Sequence, residues 1–238
     1  LGTDGDNLCA TCHQGRASKV SVDARIADVD DDVISDALGF INIHYAPSAA
    51  TIMGGDAMGG YEYAGKTYVG AWGHGDYDMA ATCTSCHSAH SGTVNIERDC
   101  ADCHDVATVE DVRMLREYVG DYDGDGVETG TYYEIANLTD MVYEAMQAYS
   151  RDVIGTTVVY DSHAYPYFFA DENDDGEADG RYATWTPRLI RAAYNYQYAS
   201  KDYGGYVHNG QYMIQLLHDT LEDLGVNVSN LDRPDEPF

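Results

Sequence analysis

The chain has 238 residues, of which 44% are hydrophobic and 11% aromatic, so it can bury a core, and disorder or a collagen-like fibre is excluded. Its 41 acidic residues against 13 Lys and Arg give a net charge of −28, which disfavours nucleic acid and anionic membranes as partners. No apolar stretch of the sequence is long enough to cross a bilayer.

The N-terminal end is a polar stretch that begins at Leu1 without an initiator Met. We interpret it as the start of a mature chain from which a signal peptide was removed. This interpretation predicts export across the cytoplasmic membrane and secretion.

All six cysteines fall into three motifs, Cys9-Ala-Thr-Cys12-His13, Cys83-Thr-Ser-Cys86-His87 and Cys100-Ala-Asp-Cys103-His104. This spacing is that of covalent haem c attachment, in which two thiols form thioethers with the vinyl groups and the adjacent imidazole is the proximal iron ligand. Disulfides, redox pairs or a four-thiolate zinc site from the second and third motifs are alternatives, but zinc leaves the trailing histidines and the first motif unexplained. The sequence therefore predicts three haem c groups with His13, His87 and His104 as proximal ligands.

The second axial ligand of each iron must come from elsewhere in the chain. Six histidines remain, and methionine is the rival ligand. The distal candidates are His44 and His208 first, then His90 and His74, whereas we interpret His163 and His218 as structural. If imidazole fills every distal position, all three irons are six-coordinate and suited to electron transfer.

Two regions follow from the position of the motifs: a three-haem region at 1–105 and a helical region at 106–238, packed together as one compact unit. Residues 14–82 are rich in Gly and predict irregular loop with short strands. Beyond the motifs, apolar stripes and capping residues predict helices at 109–119, 133–151, 186–200 and 209–224 and a strand at 156–160.

Two acidic loops in the second region match the first half of an EF-hand loop, with alternating oxygen side chains and Gly at the sixth position. The predicted calcium ligands are Asp121, Asp123 and Asp125 in the first loop and Asp171, Asn173 and Asp175 in the second. Position twelve is a tyrosine in both loops, Tyr132 and Tyr182, so the bidentate Glu is missing there; Glu128 or Glu134 is a substitute in the first. A solvated acidic turn is the alternative.

The three haem motifs resemble those of secreted multihaem c-type cytochromes. Further segments that carry the resemblance are His-Tyr-Ala-Pro-Ser-Ala-Ala from His44, Gly-Gly-Tyr-Glu-Tyr from Gly59, Ala-Ala-Tyr-Asn-Tyr from Ala192 and His-Asn-Gly-Gln-Tyr from His208. The resemblance extends to subunits of extracellular cytochrome filaments, or nanowires, in which stacked haems run from subunit to subunit. It implies a mainly α and irregular multihaem cytochrome fold, with a loop-rich haem-wrapping N-terminal part, a mostly helical C-terminal part and little β structure. It also implies that a neighbouring subunit often donates a distal histidine.

The function expected from these features is extracellular electron transfer, not catalysis, by a three-haem cytochrome that self-associates into a conductive filament. Redox partner proteins or extracellular acceptors would exchange its electrons, and bound calcium would screen its charge. A monomeric secreted or periplasmic shuttle is the alternative. A haem reductase with one open iron site, beside His163 or a tyrosine, is a third hypothesis.

Overall fold

The computed structural model describes residues 6–72, 82–116 and 120–234 as helices joined by irregular segments, with one small sheet. The helices are α1 (Asp6–His13), α2 (Lys19–Ile26), α3 (Ser48–Met53), α4 (Cys83–Cys86), α5 (Ile96–Asp99), α6 (Val109–Arg113), α7 (Thr131–Tyr149), α8 (Pro187–Lys201), α9 (Gly205–His208) and α10 (Gly210–Asp223). The predicted mainly α and irregular architecture is confirmed. No described helix combines the length and the apolar character that crossing a membrane requires.

The core lies where α7, α8 and α10 pack against one another. Twelve of the fourteen residues of α10 are buried, so this helix is surrounded on all sides. The stripe Leu138, Val142 and Met146 of α7 is fully buried. Because all three helices are long and apolar on their contact faces, they form a core from protein side chains alone.

The ends of these helices are fixed by local sequence signals. The Thr186 hydroxyl accepts a hydrogen bond from the Leu189 N–H, with Pro187 at the first position of α8. The Asn209 side chain caps α10 in the same way, at Tyr212. The helices predicted at 133–151, 186–200 and 209–224 and the strand at 156–160 are confirmed within two residues at each end.

The helix predicted at 109–119 is shorter in the structure, since α6 ends at Arg113. The chain then extends, and the Leu115 carbonyl accepts a hydrogen bond from the Thr131 N–H at the start of α7. A Cβ at Gly130 would lie 2.0 Å from the Arg113 carbonyl oxygen, so the close approach of the two segments requires Gly there. This tertiary contact accounts for the end of the helix before residues 114–116; residues 117–119 lie outside the described part.

One antiparallel sheet is present in the described chain, in the order β1 (Thr157–Tyr160), β2 (Phe168–Asp171) and β3 (Gly180–Arg181). Its register sets Thr157 opposite Asp171. The second acidic loop connects β2 to β3. The limited β content agrees with the expectation from the sequence.

The segment from residue 14 to 72 contains α2 and α3 rather than the predicted short strands, and its only described β pairing is a single bridge between Gly15 and His44. Side-chain amides of α8 and α10 bond its backbone instead. The N–H groups of Ile43, Tyr61 and Val69 donate to side-chain oxygens over 2.7–2.9 Å, and the acceptors are Gln197, Asn195 and Gln215, respectively. These amides satisfy the backbone groups that a strand ladder would pair.

Candidate haem and calcium sites

Each Cys-x-x-Cys-His motif forms about one turn of helix. The first lies on α1, the second on α4, and in the third the His104 N–H donates to the Cys100 carbonyl at 3.0 Å. One turn brings side chains three residues apart to the same face and the next residue beside them. All six thiols are free. Two free thiols and an adjacent imidazole are the donor set that covalent haem attachment requires.

The three motifs are neighbours in the fold. The Cys83 N–H donates to the buried Asp6 carboxylate at 2.9 Å, which joins the second motif to the start of α1. Burial, followed by Asp6, raises the pKa of Cys83 to about 11. Burial and then the nearby Cys86 thiol raise the pKa of Cys100, so the third motif lies beside the second. Within the described residues, no group of thiols converges as a zinc site would need.

The proximal histidines of the first two motifs are held in one tautomer. The His13 Nδ1–H donates to the Ala46 carbonyl at 2.9 Å, and the His87 Nδ1–H donates to the Gly92 carbonyl at 2.8 Å. Because a carbonyl oxygen only accepts, Nε2 of each ring carries the lone pair. A metal-binding histidine uses this arrangement, in which the second ring nitrogen is fixed by a hydrogen bond. His104 is half-buried at the end of its motif.

The ring of His208 lies near that of His87, with a centroid separation of 6.4 Å and an angle of 36° between the ring planes. An iron bound on both sides by imidazole nitrogens at about 2 Å sets the ring centres roughly 6 Å apart, so the spacing fits a bis-histidine haem. The His208 Nδ1–H donates to Asp202 at 2.8 Å, which leaves Nε2 with the lone pair here as well. Burial is the largest influence on Asp202 and opposes its ionisation, but the interaction with His208 and the hydrogen bonds from neighbouring hydroxyls together lower the pKa.

The other candidate histidines differ in their surroundings. His44 is exposed beside the first motif, and its N–H donates to the Gly15 carbonyl at 2.9 Å. His90 is exposed in the turn that follows His87. His74 lies outside the described residues. The roles of His44, His90 and His74 as distal ligands stay predictions.

The two histidines interpreted as structural occupy opposite environments. The His163 side chain is 93% exposed and bonds only its neighbours in sequence among the contacts described. His218 is buried in α10, where its Nδ1 bonds Asp219 at 3.0 Å. Burial opposes ionisation of Asp219, but hydrogen bonds from His218 and Arg233 hold its pKa at about 2.

The first acidic loop brings three carboxylates together. One oxygen each of Asp121, Asp123 and Glu134 lies within 4.8 Å of the others. Glu134 comes from α7 and also accepts hydrogen bonds from the N–H groups of Tyr122 and Asp123. Asp121 Oδ1 is buried and has no hydrogen-bond partner. Of the two substitutes for the missing bidentate Glu, Glu134 is therefore the one that joins the loop carboxylates. The predicted ligand Asp125 is exposed and is not part of this group.

The second acidic loop makes the same kind of turn hydrogen bonds as the first, in which the Gly126 N–H donates to Asp121 and the Asp125 N–H to Asp123. Asp171 accepts hydrogen bonds from the N–H groups of Asp175 and Gly176, and Asn173 accepts a further one from Asp175. Asp175 in turn accepts from the Glu177 N–H at 2.9 Å. These oxygens stabilise the turn itself. Among the described residues, the first loop holds the one group of three or more converging acidic, cysteine or histidine side chains.

Sequence reasoning missed two residues of these sites. Asp6 and Asp202 are both buried carboxylates, each with one oxygen on a motif cysteine or a candidate ligand and the other unpaired. Neither belongs to a recognisable motif, because both contacts join distant or irregular parts of the chain. The sequence offered only one general signal for such carboxylates, namely that Asp is far more frequent than Glu.

The comparisons with known proteins agree with the donor chemistry. Over 268 residues, covering 96% of this chain, the sequence is 27% identical to the C-type polyheme cytochrome OmcB of Geobacter sulfurreducens. It is 26% identical over 259 residues to the C-type polyheme cytochrome OmcC of the same species. The chain spans about a third of the length of these relatives. No protein-family model and no solved structure matches it. The similarity supports a multihaem c-type cytochrome with covalently bound haem c.

Proposed function

We propose that the chain is an electron-transfer unit that carries three haem c groups, one on each motif. The observation that carries this proposal is the pair His87 and His208, whose ring centres are 6.4 Å apart. Two imidazoles on one iron make it six-coordinate, so no position is left for a substrate. Haem supplies one-electron chemistry when bound, and the chain fixes the tautomer and direction of the ligands.

The proximity of the motifs supports passage of electrons from haem to haem. Asp6 connects the first motif to Cys83, and the Cys86 and Cys100 thiols are neighbours. Both contacts involve the second motif, so we propose that its haem is the central one in the series. Short gaps between haems favour electron carrying over catalysis at one iron.

Spectroscopy of the haem-loaded protein tests this function. We expect three haems per chain by pyridine haemochrome assay and intact mass, and a low-spin oxidised spectrum. His208→Ala should create one high-spin haem that binds carbon monoxide when reduced. His163→Ala, at an exposed imidazole, is the matched control and should leave the spectrum unchanged. A low-spin spectrum retained in His208→Ala would contradict the pair.

We also propose that the protein acts outside the cytoplasm and assembles with copies of itself into a filament of stacked haems. The resemblance of its motifs to those of filament subunits supports this. A net charge of −28 opposes assembly unless cations screen it. Electron microscopy in high-salt buffer, with and without chelator, should show filaments with a regular repeat. Isolated particles would overturn the filament and favour the soluble shuttle, and carbon monoxide binding to the wild type would favour a haem reductase.

Calcium at the first acidic loop is the remaining part of the proposal. Three converging carboxylates with an unpaired buried oxygen on Asp121 suit a hard cation. Burial, with a smaller contribution from Glu134, raises the pKa of Asp123, as expected of carboxylates crowded together. Calcium should raise the Tm of the wild type, and Glu134→Gln should remove most of that rise. Glu128→Gln is the exposed control in the same loop. Equal effects of calcium on wild type and Glu134→Gln would contradict the site.

A further inference from the structure

Asp202 stands out among the carboxylates near the motifs. It follows the last residue of α8, its side chain is 1% exposed, and its Oδ1 lies 2.8 Å from Nδ1 of His208. The Ser48 hydroxyl donates to the same oxygen at 3.1 Å, and the Gly204 N–H donates at 3.3 Å. Oδ2 is buried without a hydrogen-bond partner. The carboxylate is thus fixed in place, desolvated and aimed at one imidazole.

The ring of His208 is also held on a second side. A Cβ at Gly204 would lie 2.7 Å from Cε1 of His208, so the missing side chain makes room for the imidazole. The His208 N–H bonds the Gly204 carbonyl at 2.9 Å within the short helix α9. The hydrogen bond to Asp202 occupies Nδ1, so Nε2 is the ring nitrogen left to bind iron.

The three imidazoles with a described Nδ1 partner near the motifs differ in the strength of that partner. His13 and His87 donate to neutral backbone carbonyls, whereas His208 donates to a buried carboxylate. A carboxylate accepts more strongly than a carbonyl and increases the basicity of the metal-binding nitrogen. A more basic axial ligand and a nearby fixed negative charge both stabilise the oxidised, more positive iron.

We propose that Asp202 is a positioning residue that strengthens His208 as an iron ligand and gives the haem between His87 and His208 the lowest reduction potential of the chain. This inference rests on the proposed function, because it requires His208 to be an axial ligand. It adds a specific role for a residue outside the motifs and makes the haem of the second motif the one that is hardest to reduce.

The test is Asp202→Asn in the haem-loaded protein, followed by spectroelectrochemical titration. The amide keeps the size of the carboxylate and an oxygen that accepts from Ser48, but removes the charge. We expect a low-spin spectrum as in the wild type and a higher reduction potential for one haem. The rise should favour its reduced form at least tenfold, which is about 59 mV for one electron. No shift would overturn the inference.

Asp99→Asn is the matched control for charge alone. Asp99 acts electrostatically on His87 but bonds Arg98 and the Asn95 N–H rather than a ring nitrogen. Its removal should shift the potential less than Asp202→Asn does. Equal shifts would mean that charge, and not the hydrogen bond to His208, sets the potential.

Two measurements separate the inference from the function beneath it. If His208→Ala produces no high-spin haem, His208 is not a ligand and the proposed pair fails. If it does, the haem that becomes high-spin must be the one that titrates at the lowest potential in the wild type. If a haem of higher potential becomes high-spin instead, the role of Asp202 is overturned and the ligand pair remains. This comparison uses only the wild type and His208→Ala, so it can be made even if Asp202→Asn does not fold.

Discussion

The segment that carries the second and third motifs and the helical part of the chain are packed in opposite ways. No residue between 82 and 105 is buried, whereas twelve of the fourteen residues of α10 are. The helical part holds itself together with protein side chains. The motif segment is short turns around thiols and imidazoles, as expected where a porphyrin supplies the apolar surface.

The difference teaches that the chain combines two sources of stability. Residues 14–72 belong with the helical part in this respect, because side-chain amides of α8 and α10 bond their backbone. The motif segment depends on what is attached to it. Haem removal and comparable substitutions should therefore affect the stability of the two parts to different extents.

Removal of the haems should have the largest effect. With all six cysteines changed to Ala, we expect α7, α8 and α10 to persist, while residues 82–105 lose their order. Limited proteolysis with mass spectrometry should find the first cuts in that segment, and hydrogen exchange should show protection confined to the helical part. Equal protection of both parts in the haem-free chain would contradict the comparison.

Truncation of a core leucine should come next. Leu217→Ala removes a fully buried side chain of α10 and should lower the free energy of unfolding of the haem-free chain by about 2–5 kcal/mol. Leu8 on α1 is 82% exposed, so Leu8→Ala should change it by less than about 0.5 kcal/mol. Urea denaturation of the two variants makes the comparison, and similar losses would contradict it.

The buried carboxylate of Asp219 should make the helical part sensitive to acid. Its pKa of about 2 lies below the ordinary value of about 3.9, so its stabilisation is complete above pH ~4 and is lost as the pH falls toward 2. Asp219→Asn should lower stability near neutral pH by about 2 kcal/mol, and the gap from the wild type should narrow in acid. Asp23→Asn, at a partly exposed carboxylate paired with Lys19, is the control. A gap that is constant with pH would refute the assignment.

Helix caps give the smallest and most closely matched test. Thr186 caps α8 at 3.2 Å from the Leu189 N–H, and Asn95 caps α5 at 3.1 Å from the Arg98 N–H. In the haem-free chain, Thr186→Ala should lower stability by about 1 kcal/mol. Asn95→Ala should have no effect, because the four-residue helix α5 is not held there without haem. A measurable loss from Asn95→Ala would show that the motif segment has a core of its own.

The sequence predicted the features that depend on neighbouring residues. The spacing of the thiols, the stripe on α7 and the cap at Thr186 are local, and the structure has them where they were expected. The proximity of His208 to His87 could not be predicted, because it depends on tertiary packing between α9 and a motif far earlier in the chain. The sequence left Glu128 and Glu134 as two possible substitutes for the bidentate Glu at position twelve. Glu134 lies beyond that position in the loop, and the start of α7 brings it close to the other carboxylates.

The distance in sequence between His87 and His208 has a consequence for the order of maturation. In an exported chain the second motif crosses the membrane before α9 does, so a haem attached to it during export would lack His208 until α9 has followed. Sealing of that iron would then be among the last events of maturation. A chain that ends before α9 would have an iron open to small gaseous ligands. Binding of carbon monoxide would reveal such incomplete chains in the absorption spectrum.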